Sequence, residues 1–193
     1  MKQPRLKQRT LSQRALALKL PEPGGFECFV ADGNEEPFAA LRVWTRGSGE
    51  RYLYLHGAAA SGKSHLLQAA ARAVIEHGLT AIYLPLDQDG PTPAMLDDLE
   101  QRDAVIIDAL SAIAGDASWE RALFDLYNRL LEANRRLLVA ARVPPPAVGL
   151  RLADLISRLS AGPAYLLRPL DEDGCATLLR TGAAQRGLRL DQA

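Results

Sequence analysis

The sequence is poor in cysteine and has no excess of basic charge. Its 193 residues include only two cysteines, Cys28 and Cys175, which lie far apart in no metal-binding spacing. A disulfide scaffold is therefore excluded, and we expect two buried free thiols in a reduced compartment. Lysine and arginine number 23, as do aspartate and glutamate. The chain thus lacks the charge of a protein that binds nucleic acid over its whole surface, and direct DNA contact is expected to be weak or local.

Long apolar runs are also missing. No segment approaches the roughly 18 to 20 apolar residues of a membrane span, and the N-terminus lacks the apolar core of a signal peptide. We therefore expect a cytoplasmic protein with no membrane partner. Hydrophobic residues make up 48% of the chain and charged residues 24%, a composition typical of one folded domain rather than of a disordered chain.

The first 20 residues differ from the rest of the chain. They contain six lysines and arginines and no acidic residue, and prolines follow at 21 and 23. We predict a flexible basic tail over residues 1–20, either a solvated leader or a docking segment. Leu16, Leu18 and Leu20 recur with a period of two, which favours an extended peptide on a partner over a helix.

From Arg51 onward, short apolar runs alternate with longer amphipathic segments. Five strands buried on both faces are predicted at Tyr52–Leu55, Ala81–Leu86, Ala104–Ile107, Leu137–Ala141 and Ala164–Leu167. Helices are predicted at Lys63–His77, Pro93–Gln101, Ala117–Asn134, Leu150–Leu159 and Asp171–Gln185, with Asp116 and Asp171 as caps. This alternation predicts a doubly wound α/β fold with a five-stranded parallel sheet and a ligand site at the carboxyl ends of the strands.

A phosphate-binding pattern lies between the first predicted strand and the helix that follows it. Residues 57–64 read GAAASGKS, which fits G-x-x-x-x-G-K-[ST]. Backbone N–H groups of the loop are expected to surround phosphates, Lys63 to reach the β and γ phosphates, and Ser64 to ligate Mg²⁺. The predicted loop contacts are Gly57, Ala60, Ser61, Gly62, Lys63, Ser64 and His65. A glycine-rich turn that binds nothing is the alternative.

An acidic residue follows the third predicted strand. Because a carboxylate at the end of an apolar strand is costly unless it faces a cation, we predict that Asp108 holds Mg²⁺ on a strand beside the phosphate-loop strand. ATPases of the AAA+ type usually place glutamate next, to orient the attacking water, but residue 109 is alanine. We therefore expect the isolated protein to bind nucleotide and to hydrolyse it slowly or not at all.

Four segments are distinctive when taken together. They are LHGAAASGKSHLL at 55–67, VIIDALSAI at 105–113, WERALFDLYNR at 119–129 and DLISRL at 154–159. These segments resemble the AAA+ domain of the bacterial replication initiator DnaA, and more closely the related Hda family of regulatory inactivators of DnaA. The resemblance implies a P-loop NTPase fold of the AAA+ type that binds ADP or ATP with Mg²⁺. It implies an AAA+ domain at 21–170 and, at 171–193, the start of a helical lid that is largely missing.

Residue roles follow from the resemblance by position. Phe29 and Val30 match the segment that lies against the adenine base, whereas core packing is the alternative for Phe29 and its neighbour Phe26. Arg158 matches an arginine finger that acts on nucleotide bound to a neighbouring subunit. Without the resemblance, Arg158 would be interpreted as a surface charge.

The end of the fourth predicted strand departs from the family pattern. A polar residue that senses the γ-phosphate is usual there, but this chain has Ala140 and Ala141, which cannot hydrogen-bond a phosphate. Arg142 could replace that residue only if its side chain bends inward.

The basic tail also has a counterpart. Gln13, Leu16 and Leu18 resemble the Q-L-x-L-x-L peptide by which Hda-type proteins bind the sliding clamp of DNA polymerase III. Arg14 stands where leucine is usual, so the peptide is degenerate.

Three functions are compatible with these patterns. The resemblance favours a nucleotide-binding regulator of replication initiation that is tethered to the clamp and presents Arg158 to ATP on DnaA. A second is an initiator or helicase loader that acts on DNA directly, although no DNA-binding module is visible. A third is an interaction protein with an inactive nucleotide site. The resident nucleotide and self-association stay open.

Overall fold

A five-stranded parallel sheet forms the centre of the computed structural model, which describes residues 24–185. Its strands are β1 (Tyr52–His56), β2 (Ala81–Pro85), β3 (Ala104–Asp108), β4 (Arg136–Ala141) and β5 (Ala164–Leu166). All five predicted strands are present, but the prediction that each is buried on both faces is wrong for β5, an edge strand whose Ala164 and Leu166 are exposed. Gln13, Leu16 and Leu18, which are predicted to bind the clamp, lie outside the described residues.

The order of the strands is β2-β3-β4-β1-β5. The prediction that the strand of Asp108 lies beside the phosphate-loop strand is wrong, because β4 pairs with β1 on one side and with β3 on the other. Both arrangements bring the carboxyl ends of β1 and β3 to the same edge of the sheet. The two strand orders differ only in which strands pair. The sequence of a buried apolar strand does not indicate which strand lies next to it.

Helices cover both faces of the sheet. They are α1 (Glu35–Thr45), α2 (Lys63–Glu76), α3 (Ala117–Glu132), α4 (Ala153–Ser160) and α5 (Glu172–Gln185). Leu53 and Leu55 of β1 pack with α1 and α2 in one apolar core, whereas Tyr52 and Tyr54 pack with α3 and α4 in a second core on the opposite face. This separation follows from the two-residue period of a strand. Among the described residues, no helix has the length and apolarity needed to cross a bilayer.

The helix α1 was not predicted, although its signals are present. Glu35 and Glu36 lie in its first turn, where acidic side chains favour the helix dipole, and Asn34 precedes them. Its fully buried residues Leu41 and Trp44 are three positions apart, which is helical spacing.

The predicted aspartate caps are present in the structure. Asp116 accepts hydrogen bonds from the backbone N–H groups of Ser118 and Trp119 at the start of α3. Asp171 Oδ1 accepts one from Gly174 N at 2.8 Å at the start of α5. The prediction of two buried thiols is wrong, because Cys28 is half-buried and Cys175 on α5 is exposed.

The prediction of one helix over Pro93–Gln101 is also wrong. The segment forms two short 3-10 turns, Pro93–Leu96 and Leu99–Gln101, separated by Asp98 in a left-handed conformation with φ of 60°. Arg129 of α3 donates to the carbonyl oxygen of Leu96 at 2.8 Å and pairs with Glu100 at 2.9 Å. Contacts with α3 thus satisfy polar groups of the segment without a continuous helix.

Candidate functional site

The phosphate loop links the carboxyl end of β1 to the first turn of α2. Gly62 immediately precedes α2 with a φ of 87°, and Ala60 is also left-handed, with a φ of 60°. A side chain at Gly57 would collide with the carbonyl oxygen of Leu167, which follows β5. The glycines therefore allow a sharp turn and a close approach between two backbone segments.

Lys63 lies across its own loop. Its Nζ donates to the carbonyl oxygens of Gly57 at 2.8 Å and Ala58 at 2.6 Å, and contacts Ser61 Oγ at 3.1 Å. Burial lowers the pKa of Lys63, and the charge of Arg142 acts in the same direction, whereas Asp108 opposes it. Because an ammonium has three N–H donors, a phosphate in the loop would have to replace one of these contacts.

A cavity of about 420 Å³ opens beside this loop. Lys63, Ser64 and Asp108, which were predicted to bind phosphate and Mg²⁺, all line it. Its remaining lining residues come from the ends of the neighbouring strands and the loops after them: Ala59, Ala60, Asp87, Ala109, Ser111, Ala112, Ala141 and Arg142. The fold thus brings the predicted phosphate and metal ligands into one space, and it adds Asp87 and Ser111, which were not predicted.

Arg142 is the cation that faces this cavity from the end of β4. Ala140 and Ala141 are buried in the strand, so they supply no polar side chain. Arg142 is exposed, and within residues 24–185 its guanidinium makes no hydrogen bond or ion pair. Arg142 therefore borders the same cavity as Lys63, and its action as the γ-phosphate sensor stays a prediction.

Asp108 is held by donors of the protein itself. The side chain is only 6% exposed, its Oδ2 accepts a hydrogen bond from Tyr83 Oη at 2.8 Å, and its Oδ1 accepts one from Ala109 N at 2.7 Å. Two donors of the protein therefore satisfy this carboxylate in part, and its role in holding Mg²⁺ stays a prediction. Each carboxylate oxygen keeps a second lone pair, so the residue can still accept from a metal-bound water.

Tyr83 was not predicted as a site residue, because in the sequence it stands among the apolar residues of β2. Its hydroxyl also accepts a hydrogen bond from Gln68 Nε2 of α2 at 3.4 Å. Burial raises the pKa of Tyr83, and the adjacent Asp108 charge raises it further. The phenol is thus a permanent donor to Asp108 near neutral pH. Only the pairing of β2 with β3 brings the two together.

A second cavity, of about 150 Å³, lies on the other side of the loop. Phe29 and Val30 line it together with His65 and the loop residues Ala60, Ser61 and Gly62. Phe29 stacks on Phe38 with ring centroids 5.5 Å apart and faces His65 at 6.1 Å. The predicted adenine segment and the predicted phosphate loop therefore line the same cavity.

The chemistry of this cavity suits a flat heteroaromatic ring. Phe29 and Val30 supply apolar surface, and His65 Nε2 is a buried nitrogen with no hydrogen-bond partner among the described residues. Burial lowers the pKa of His65, with Gly25 and Glu27 opposing, so the ring is neutral near pH 7. Depending on its tautomer, this nitrogen of a neutral imidazole can donate a hydrogen bond to the edge of a nucleotide base or accept one from it.

Asn34 ties this cavity to the chain after β5, a role that was not predicted for it. Its Oδ1 accepts from Arg168 N at 2.8 Å and its Nδ2 donates to Arg168 O at 3.0 Å. Asn34 is 1% exposed, so both contacts are buried. Leu170 and Leu178, from the segment that follows, also line the cavity.

Arg158 lies apart from both cavities. It is exposed on α4, a helix that buries Leu155 and Leu159 completely. Arg158 lines neither cavity. The structure therefore does not bring this residue into the chain's own candidate site.

Comparison with known proteins gives a consistent result. The family model for the bacterial DnaA ATPase domain matches residues 20–165. AMPPCP-bound DnaA from Aquifex aeolicus is 21% identical with a TM-score of 0.75, and the match covers 90% of this chain and 59% of that one. Domain III of Thermotoga maritima DnaA is 22% identical with a TM-score of 0.75, covering 87% and 76%. DnaI is 16% identical with a TM-score of 0.61, covering 76% and 89%. The chain thus spans less than two thirds of the length of the Aquifex protein.

Proposed function

The chain belongs to the family of bacterial DnaA ATPase domains and has the AAA+ P-loop fold, and from this premise we propose that it is a nucleotide-binding regulator of chromosomal replication initiation. Held on the polymerase III sliding clamp, it promotes ATP hydrolysis on DnaA through Arg158, in the manner of the Hda family. The observation that carries this proposal is that the chain has the residues to bind phosphate and offers an exposed arginine, but lacks the residue that would orient an attacking water. The chain has a full set of phosphate-binding residues and an outlying arginine, but alanine at position 109.

The chain's own site is proposed to hold ADP or ATP with Mg²⁺. Lys63 leaves the loop carbonyls for the phosphates, and Ser64 and Asp108 hold the metal, Asp108 through water. Bound Mg²⁺ would neutralise phosphate charge. Phe29 and Val30 contact the adenine ring beside His65.

The same site is proposed to hydrolyse nucleotide weakly or not at all. Ala109 follows Asp108 with a left-handed φ of 56° and has no group that could orient water. Nucleotide would then serve to stabilise the fold and the surface that meets DnaA, rather than to be consumed.

Arg158 is proposed to act on the ATP of DnaA. An arginine supplied by a partner can raise the rate of phosphoryl transfer by about 10³ to 10⁵ because it stabilises charge in the transition state. Its exposure on α4 and its distance from both cavities suit action on a second molecule. Gln13, Leu16 and Leu18 are proposed to dock on the clamp, glutamine by hydrogen bonds and the leucines in an apolar groove.

The nucleotide site is tested by thermal unfolding. ADP or ATP with Mg²⁺, at about one hundred times its dissociation constant, should stabilise the protein by about 2.7 kcal/mol. For a chain of this size that corresponds to a rise of about 5 to 11 °C in Tm. Lys63→Ala should abolish most of the rise, whereas Arg121→Ala, on the exposed face of α3, should leave it intact. Equal Tm values with and without nucleotide would identify an inactive site.

The regulatory role is tested by measuring ATP hydrolysis by DnaA with this protein, the sliding clamp and DNA. Hydrolysis should rise only when all components are present. Arg158→Ala should return the rate to that of DnaA alone, and replacing Gln13, Leu16 and Leu18 by alanine should abolish the stimulation that the clamp permits. An unchanged rate with the intact protein would refute the proposal. Salt-sensitive DNA binding without the clamp, lost on deletion of residues 1–19, would instead favour a protein that acts on DNA directly.

A further inference from the structure

The buried carboxylate of Glu120 joins α3 to the start of α4. Glu120 belongs to the WERALFDLYNR segment and is only 1% exposed. Its Oε1 accepts a hydrogen bond from Gly115 N at 2.7 Å, and its Oε2 accepts from Arg151 N at 2.8 Å and Leu152 N at 2.7 Å. A buried charge is retained only when polar partners surround it, and here three backbone N–H groups do so.

These contacts anchor the segment that leads into α4. Leu152 occupies the N-cap position, and its side chain makes no capping hydrogen bond. Glu120, 32 positions earlier, accepts from the N–H of this N-cap residue and from the N–H of Arg151 before it. Its carboxylate therefore lies beside the N-terminal end of α4, where a negative charge is favourable.

The other end of α4 is fixed from the sheet. Tyr52 Oη of β1 donates to the carbonyl oxygen of Leu159 at 2.9 Å. The Tyr52 ring meets Tyr127 of α3 edge-on at 5.5 Å, and the Arg158 charge lies near enough to Tyr127 to oppose the rise in its pKa that burial causes. α4 has only eight residues, too few to be stable alone, so these ties determine where it lies.

We propose that Glu120 is a positioning residue for Arg158: its carboxylate sets the N-terminal end of α4 and thereby directs the guanidinium toward the nucleotide of the partner. This inference rests on the proposed function of Arg158 and adds the element that orients it. Glu120 touches neither nucleotide, and its effect passes entirely through α4.

The test uses the full chain in the DnaA hydrolysis assay with clamp and DNA. Glu120→Gln keeps the size of the side chain but has one acceptor oxygen in place of two, so it cannot satisfy the Gly115 contact and the α4 contacts together. We expect stimulation of DnaA to fall at least tenfold while the ADP-induced rise in Tm is unchanged. Asp103→Asn is the matched control, since Asp103 also binds a backbone N–H, that of Thr80 at 2.8 Å, far from α4 in sequence. It should keep full stimulation.

Two further measurements separate positioning from a general loss of stability. Amide hydrogen exchange of Glu120→Gln should quicken at residues 151–160 and stay unchanged in the phosphate loop. In an Arg158→Ala background, Glu120→Gln should reduce stimulation no further, because the group it orients is already gone. An additional loss in that background would overturn the inference.

The remaining outcomes distinguish the two proposals. If Arg158→Ala keeps full stimulation, the proposed function itself is wrong. If Arg158→Ala is inactive and Glu120→Gln is fully active, the role of Arg158 stands and that of Glu120 is refuted. If the glutamine variant shows no cooperative unfolding transition, Glu120→Asp takes its place, because it keeps the charge but is one methylene shorter. The same losses would support the inference, and full stimulation would overturn it.

Discussion

The hydrogen bond between Tyr83 and Asp108 allows a quantitative prediction. Tyr83→Phe keeps the ring but removes, together with the longer contact from Gln68 Nε2 at 3.4 Å, the donor 2.8 Å from Asp108 Oδ2, a buried charged acceptor. Such a bond contributes about 1.5 to 3 kcal/mol to the free energy of unfolding. Tyr54→Phe is the matched control, because Tyr54 Oη donates to the neutral carbonyl of Val143 at 3.0 Å. A neutral bond contributes about 0.5 to 1.5 kcal/mol.

Urea unfolding at pH 7 without nucleotide measures both variants. Tyr83→Phe should lower the free energy of unfolding about twice as much as Tyr54→Phe. With Asp108→Asn in the background, the effect of Tyr83→Phe should shrink toward that of Tyr54→Phe, because the acceptor is no longer charged. Equal effects of the two phenylalanine variants, or an undiminished effect of Tyr83→Phe in the Asp108→Asn background, would refute the assignment of Tyr83 as the partner that holds the carboxylate.

Two further predictions concern the phosphate loop and the buried phenols. Gly57→Ala places a methyl against the Leu167 carbonyl, so it should lower the free energy of unfolding by about 1 to 3 kcal/mol and weaken ADP binding. Gly78→Ala is the control, because a methyl there would have nothing within 4 Å. It should lower the free energy of unfolding by only about 1 kcal/mol, through left-handed strain. Burial raises the pKa of Tyr52, Tyr54 and Tyr83. The folded state therefore holds these protons more tightly, so the free energy of unfolding should fall as the pH rises past the ordinary tyrosine pKa of about 10. Urea unfolding between pH 9 and 11 checks this, and a flat profile contradicts it.

Features encoded within a few consecutive residues could be predicted from the sequence. The phosphate loop is contiguous from Gly57 to Ser64, so its place between β1 and α2 could be predicted from residue type and spacing, whereas the phosphate and Mg²⁺ roles of Lys63 and Ser64 stay predictions. The Asp116 cap is equally local, because its partners lie two and three residues ahead. The strands are recognisable from their apolar runs, which is why all five were found, but the run at β5 did not reveal that this edge strand is exposed.

Other features depended on contacts between distant segments. The turns at 93–101 replace a helix because Arg129 and the core side chains of α3 meet them. The position of β3 next to β4, rather than next to β1, is likewise set by pairing between segments that are distant in sequence. Tyr83 becomes its donor only through the pairing of β2 with β3, and Asn34 meets Arg168 across 134 positions.

By itself, therefore, the sequence determined the strands and the phosphate-loop pattern, since each depends on side-chain type and short-range spacing, whereas the proposed role of Arg158 follows from a family resemblance. The tertiary structure alone decided what surrounds them: the donor to Asp108, the loop residue Ala60 that lines both cavities and the contacts of Glu120 with the residues before α4. The physical reason is that a buried polar group must find a partner, and in a parallel α/β fold that partner comes from another strand or helix. Such partners leave no trace in the neighbouring residues.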